Sequence, residues 1–311
     1  MNNIVRQLFI GVMFLVLVPE VGSQELKNTK KIAFERCGYI FVADPDGKNE
    51  KRLTDSGCDF RPVFSPDGTK IAFQSRRDKN FEIYVMDCDG KNQIRLTKND
   101  AADVSPSWSP DGKGISFASD REKNKNGRNF DVFITTPDES GSWDSEHKIE
   151  WNVTQMSSWW DASPSWLVSQ DGKGEPKIVF ESNRSGKFEI YIVQANGRNL
   201  IQLTEGATYN SSPSCSPDGK KIAFVSEEDG NFGICLLEID QAKLGKDKYN
   251  PKRLTSGSID RNPAWSWDSK SILFVRVEKD KKNIYVLDID DPNKKPRLLI
   301  TNGDTPSCQA K

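Results

Sequence analysis

One pattern recurs six times along this chain, and it limits the folds available more than any other feature. The clearest copy runs from Arg61 to Thr97, RPVFSPDGTKIAFQSRRDKNFEIYVMDCDGKNQIRLT. Four parts follow in fixed order. The first is a Pro leading into a turn: Pro62 with Ser65-Pro66-Asp67-Gly68, Pro106 with Ser109-Pro110-Asp111-Gly112, and Pro213 with Ser216-Pro217-Asp218-Gly219. Weaker copies are Pro164 with Asp171-Gly172 and Pro263 with Trp267-Asp268. The second is an Ile-Ala-Phe-like run at Ile32–Phe34, Ile71–Phe73, Ile115–Phe117, Ile178–Phe180, Ile222–Phe224 and Ile272–Phe274. The third is Glu-Ile-Tyr-like, best seen at Glu82–Tyr84, Glu189–Tyr191 and Asn283–Tyr285. The fourth is Arg-Leu-Thr-like, as at Arg95–Thr97.

Each part predicts a strand, because β-branched and aromatic residues cluster in short runs bounded by turn formers. In Ser-Pro-Asp-Gly the proline presets φ, the aspartate bonds its own backbone, and the glycine accepts a positive φ. Tandem four-stranded meanders of this period predict the blades of a β-propeller. The first unit lacks its opening Pro segment, but Asp304-Thr305-Pro306-Ser307-Cys308 resembles Ser105-Pro106-Ser107-Trp108. The expected fold is therefore all-β, a six-bladed propeller whose first blade is completed by the C-terminal strand. A charged fraction of 29% and an apolar fraction of 35% suit many half-wet strands. The net charge of −1 gives no global field to recruit nucleic acid or an anionic membrane.

Ahead of the repeats, Arg6, the apolar run Leu8–Val18, Pro19 and Val21-Gly22-Ser23 read as an export signal over residues 1–23. Residues 24–29 are a short leader and 30–311 the propeller. The apolar run is too short for a membrane span. Export makes the expected location periplasmic or extracellular. The six cysteines show no CxxC spacing. Cys37 and Cys58 fall on the same expected face and are the candidate disulfide.

The repeat resembles that of the TolB-type propellers, Pro-x-Trp-Ser-Pro-Asp-Gly, Ile-Ala-Phe, Ser-x-Arg, Ile-Tyr, Asp-Gly, Leu-Thr, over Lys30 to Cys308. The resemblance implies a fold and leaves function open, since one scaffold hosts many jobs. It implies a partner role in the cell envelope only in part. That family carries an α/β domain before its propeller, and here the propeller is expected without it. Trp-Asp repeat propellers differ by their Gly-His signature. Propeller lyases of pectin fragments hold their metal with histidines, and His147 is the single histidine of this chain.

No Gly-x-Ser-x-Gly elbow occurs, and His147 lies in a charged insertion. No catalytic residue, metal or cofactor is therefore expected. The candidate site is instead a set standing three residues before the repeat proline: Asp59, Asp103, Asp161, Asn210 and Asp260. One reading makes these an acidic ring at a channel mouth, binding a cation or a basic peptide. The other makes them structural, each bonded to a backbone amide or to the Ser-x-Arg arginines Arg77, Arg121 and Arg184. Trp159 and Trp160 adjoin this ring, and adjacent residues on a strand cannot both face inward. They are candidate contacts for a protein or a sugar. Trp108, Trp166 and Trp265 follow the repeat proline by two and are expected in the core. The expected function is a non-enzymatic scaffold engaging a protein or peptide, with a carbohydrate-binding or carbohydrate-active propeller as the alternative.

Overall fold

The computed structural model describes residues 30–309, except 125–126, 138–141, 144–148, 156–157, 171, 173, 247–248 and 292–294. The expected signal and leader, and His147, lie outside the described residues. Six four-stranded antiparallel sheets follow one another, as the repeat predicts. Blade 2 shows the plan: Asp59–Phe64 is innermost, followed outward by Lys70–Asp78, Asn80–Asp87 and Ile94–Arg95. The innermost strands of blades 3 to 6 are Asp103–Trp108, Asp161–Leu167, Tyr209–Cys215 and Ile259–Trp265. Each innermost strand packs beside the next around the ring.

Blade 1 is closed by the tail. Asp304–Cys308 pairs antiparallel with Ile32–Arg36, with Ile32 opposite Cys308 and Ala33 opposite Ser307. The tail then reaches into blade 2. Ser307 Oγ accepts from the Phe64 amide at 3.1 Å, and Gln309 Nε2 donates to the Gly68 carbonyl at 2.8 Å. Closure leaves no free edge at the inner strand of the first blade.

Apolar residues pack in six wedges, each filled from two neighbouring blades. Phe34, Phe73, Phe117, Phe180, Phe224 and Phe274, one per blade, are fully buried. Their common position in the Ile-Ala-Phe strand faces the wedge because side chains alternate along a strand. The core is thus divided among blade junctions, which explains how a chain of modest apolar content can bury it.

Two turn devices recur. In Ser-Pro-Asp-Gly, Ser65 Oγ donates to Asp67 at 2.6 Å and accepts from the Lys70 amide at 2.9 Å. Ser109, Ser216 and Ser266 make the same pair of bonds. Burial pulls the carboxyls of Asp67, Asp111, Asp218 and Asp268 upward, but the serine hydroxyl and a backbone amide outweigh it. All four sit below the ordinary carboxylate range. At the Leu-Thr element, Thr54, Thr97, Thr154, Thr204 and Thr255 each accept from a third-strand amide of their own blade.

The insertion expected at Glu122–Asn129 contains a two-stranded hairpin, Lys123–Asn124 with Gly127–Arg128. The expected disulfide is absent. Cys37 and Cys58 are free, as are the other four cysteines. Cys37 sits exposed in a turn at φ 53, while Gly38 packs against the Gly57 carbonyl. The two turns meet through their glycines rather than through sulfur.

Candidate functional site: the central channel

The innermost strands surround a channel of about 470 Å³, within the range of ligand-binding cavities. Its lining repeats in layers. The residue before each proline forms one ring: Arg61, Ser105, Ser163, Ser212, Asn262 and Thr305. The prolines form the next. Below them lie the positions of Ser107, Ser165, Ser214 and Ser307, and then a layer including Trp108, Trp166 and Trp265.

The first ring has an unusual backbone. All six residues have positive φ, between 43° and 56°. Each sits where the register between inner and second strand is broken by a bulge. Proline cannot donate to a ladder and is tolerated in sheets at such bulges. Positive φ at non-glycine residues is costly and persists where surroundings enforce it. Here it recurs in every blade and sets these side chains along the channel wall.

The amides freed by the bulge are caught by neighbouring blades. Gln74 Oε1 accepts from the Ser105 amide at 2.8 Å, and Glu181 accepts from the Ser212 amide at 2.6 Å and from Ser163 Oγ at 3.1 Å. Glu181 is buried, and desolvation raises its carboxyl above the ordinary range. The Ser212 amide opposes that rise, then the charge of Arg61, which reaches it from two blades away. Tyr209 is held above its ordinary value by burial and by the charge of Glu181, while Arg261 and Arg61 act against this.

The channel tryptophans are closed in. Trp108, Trp166 and Trp265 are buried, and their Nε1 groups donate to the carbonyls of Val63, Ser107 and Ser214 on the preceding blades. They tie blade to blade and bury nearly all of their surface in doing so.

The five ring candidates do not line the channel. Asp59, Asp103, Asp161 and Asp260 are 0% exposed. Arg77 bonds Asp59 at 2.7 Å, Arg121 bonds Asp103 at 2.9 Å, and Arg184 bonds both oxygens of Asp161 at 2.8 Å. Asn210 donates to Glu189 at 2.7 Å. This corrects the picture of an open acidic ring: a carboxylate with no exposed surface, paired to a guanidinium inside its own blade, offers nothing to an incoming cation. The same arginines bond a serine through Nε and lie over an aromatic pair, as Arg184 does over Phe180 and Tyr191.

Two arginines in this role were not apparent from the repeat. Arg276 holds both oxygens of Asp260 at 2.8 Å and lies over Phe274 and Tyr285. Arg36 lies over Phe34 and Phe41 and pairs with Glu50. Both stand two residues before the Ser-x-Arg position, so the motif alone does not find them. Arg61 was also missed. In the column of residues preceding the repeat proline, five are small and uncharged, and the exception was the signal.

Trp159 and Trp160 are 46% and 39% exposed. Trp160 leans on Phe130 with ring centroids 4.8 Å apart, and its amide donates to Asn183 Oδ1 at 2.8 Å. Further round the same face Tyr209 packs between Phe188 and Phe232.

Residues 144–308 match the TolB beta propeller domain, and residues 25–157 match the Tricorn protease N-terminal beta propeller domain. The chain belongs to the TolB beta propeller family. A TolB homolog of Chlorobaculum tepidum is 30% identical over 115 residues, covering 37% of this chain and 25% of that protein. The Tol-Pal system protein TolB of Francisella tularensis is 28% identical over 142 residues, covering 45% of this chain and 30% of its own length. The crystal structure of TolB from Acinetobacter baumannii superposes with a TM-score of 0.70 at 22% identity, over 91% of this chain and 66% of that one. This TolB-type propeller therefore aligns with less than a third of either curated relative, and the crystal structure supports the fold alone. No helix among the described residues is long and apolar enough to cross a membrane. Among them no group of three or more His, Cys, Asp and Glu is placed to hold a metal ion.

Proposed function

We propose that this propeller is an exported binding scaffold that engages a protein or peptide at the mouth of its central channel, on the side where the innermost strands begin. The observation that carries this is the open channel itself, walled by backbone bulges that place a polar side chain from every blade on one ring. Rigid concave sites with a few fixed polar groups suit the capture of a defined segment. The export reading rests on residues 1–23, and the relatives named for the Tol-Pal system support a role alongside other envelope proteins.

The carbohydrate reading has a narrower footing. Sugars stack on open aromatic faces, and the channel tryptophans Trp108, Trp166 and Trp265 are buried. Trp159 and Trp160 alone among the tryptophans of this face offer exposed rings.

A photo-crosslinking residue placed at Ser212, on the channel ring, tests the proposal against the same residue at Arg198, on an outer turn. Incubation with the envelope fraction of the source cells is expected to give a discrete protein adduct from Ser212 alone. Equal adducts from both positions, or none from Ser212, would reject it.

A further inference from the structure

Two arginines stand at the channel mouth. Arg61 is the one charged side chain among the described residues lining the channel, and it is half-buried. Among the described residues no carboxylate lies within ion-pair distance of it, although its charge reaches the buried Glu181. Arg261, in the innermost strand of blade 6, is exposed and lies over the Phe232 ring at 5.4 Å, again without an ion-paired carboxylate among the described residues. Other cations at this mouth are held internally: Lys282 bonds Asp304 at 2.7 Å, and Arg77, Arg121, Arg184 and Arg276 hold their aspartates. The nearby carboxyls, Glu35 and Glu181, are buried and already accept backbone amides.

Resting on the reading of the channel mouth as a peptide site, we propose that the segment it receives carries a carboxylate, held by Arg61 with Arg261 as the outer cation. Arginine suits this because its planar fork matches a carboxylate with two parallel bonds. The aromatic arc of Phe188, Tyr209 and Phe232 beside Arg261 supplies the apolar contact that accompanies arginine at binding hot spots. The closed channel tryptophans favour a peptide over a sugar acid as the source of the charge. A basic segment would find no free partner in the aspartate set, which is held by internal arginines.

Two random peptide libraries, one displayed internally and one with free C-termini, are panned on the immobilised full chain. Selected peptides are then measured by fluorescence polarisation against wild type, Arg61→Gln and Arg261→Gln. The expected result is enrichment of Asp and Glu, or dependence on the free C-terminus, with binding weakened about tenfold in Arg61→Gln and an unchanged melting temperature. The two libraries separate a side-chain from a terminal carboxylate. Peptides that bind without any carboxylate, or equally well to Arg61→Gln, overturn this inference and leave the peptide site standing. No peptide from either library overturns the peptide site itself. Oligogalacturonate binding that needs Arg61, with no peptide binding, assigns the charge to a sugar acid and overturns the peptide assignment.

Discussion

Arg184 donates a hydrogen bond to each oxygen of Asp161, both at 2.8 Å, across the inner two strands of blade 4. Asp161 has no exposed surface and Arg184 little. Removing one partner of such a pair leaves the other charge buried and alone. Asp161→Ala is expected to destabilise the fold by about 3 kcal/mol, read as a lower urea midpoint with an unchanged slope. A ligand-binding aspartate would instead lose binding and keep its stability.

Glu181 provides a pH test. Its carboxyl is raised in the folded state, so the folded protein binds the proton more tightly than the unfolded chain does. The contribution to stability is full below the ordinary value of 4.5 and is lost as pH rises through the folded value. Glu181→Gln should remove this loss while keeping the bond from the Ser212 amide, as Gln74 keeps that from the Ser105 amide at the equivalent place in blade 2. Urea midpoints of both proteins from pH 4 upward are expected to diverge with rising pH, the variant being the more stable. The depressed turn aspartates act in the opposite sense, losing stability on acidification, and cancel in the difference. Parallel curves would show that Glu181 stays ionised at no cost.

Ser216 is fully buried and serves both Asp218 and the Lys221 amide. Ser216→Ala leaves that amide without its acceptor and should cost about 1–3 kcal/mol. Hydrogen exchange at Lys221 and its neighbours should accelerate with it, which a loss of packing elsewhere in the blade would not produce.

The tryptophans divide by environment. Trp166→Ala removes a buried ring that links blades 3 and 4, with an expected cost of about 3–5 kcal/mol. Trp160→Ala, at 39% exposure, should cost under about 1.5 kcal/mol. Thermal melts of the two variants check the contrast.

Blade count, strand order and the pairing of Pro306 beside the first blade were all legible, because turn chemistry and alternation recur in register. The buried position of Trp108, Trp166 and Trp265 followed from the same register. The site was less legible. A recurring aspartate announces an important position but not whether its charge faces water. The answer depends on Arg77, Arg121, Arg184 and Arg276 folding back over aromatic pairs, and Arg276 does so from a different place in its motif. Arg61 was hidden because its counterparts in the repeat are small and uncharged, and only the turned backbone before each proline sets that column on the channel wall.

The pairing of Ile32 with Cys308 also sets a timetable. During synthesis the strands of the first blade emerge early, yet their innermost neighbour follows only after the other five blades. Until then Ile32–Arg36 presents an unprotected edge to any extended chain nearby. A helper that shields this edge, or slow release of the nascent chain, would raise the yield of folded protein more than any gain in the stability of the completed ring.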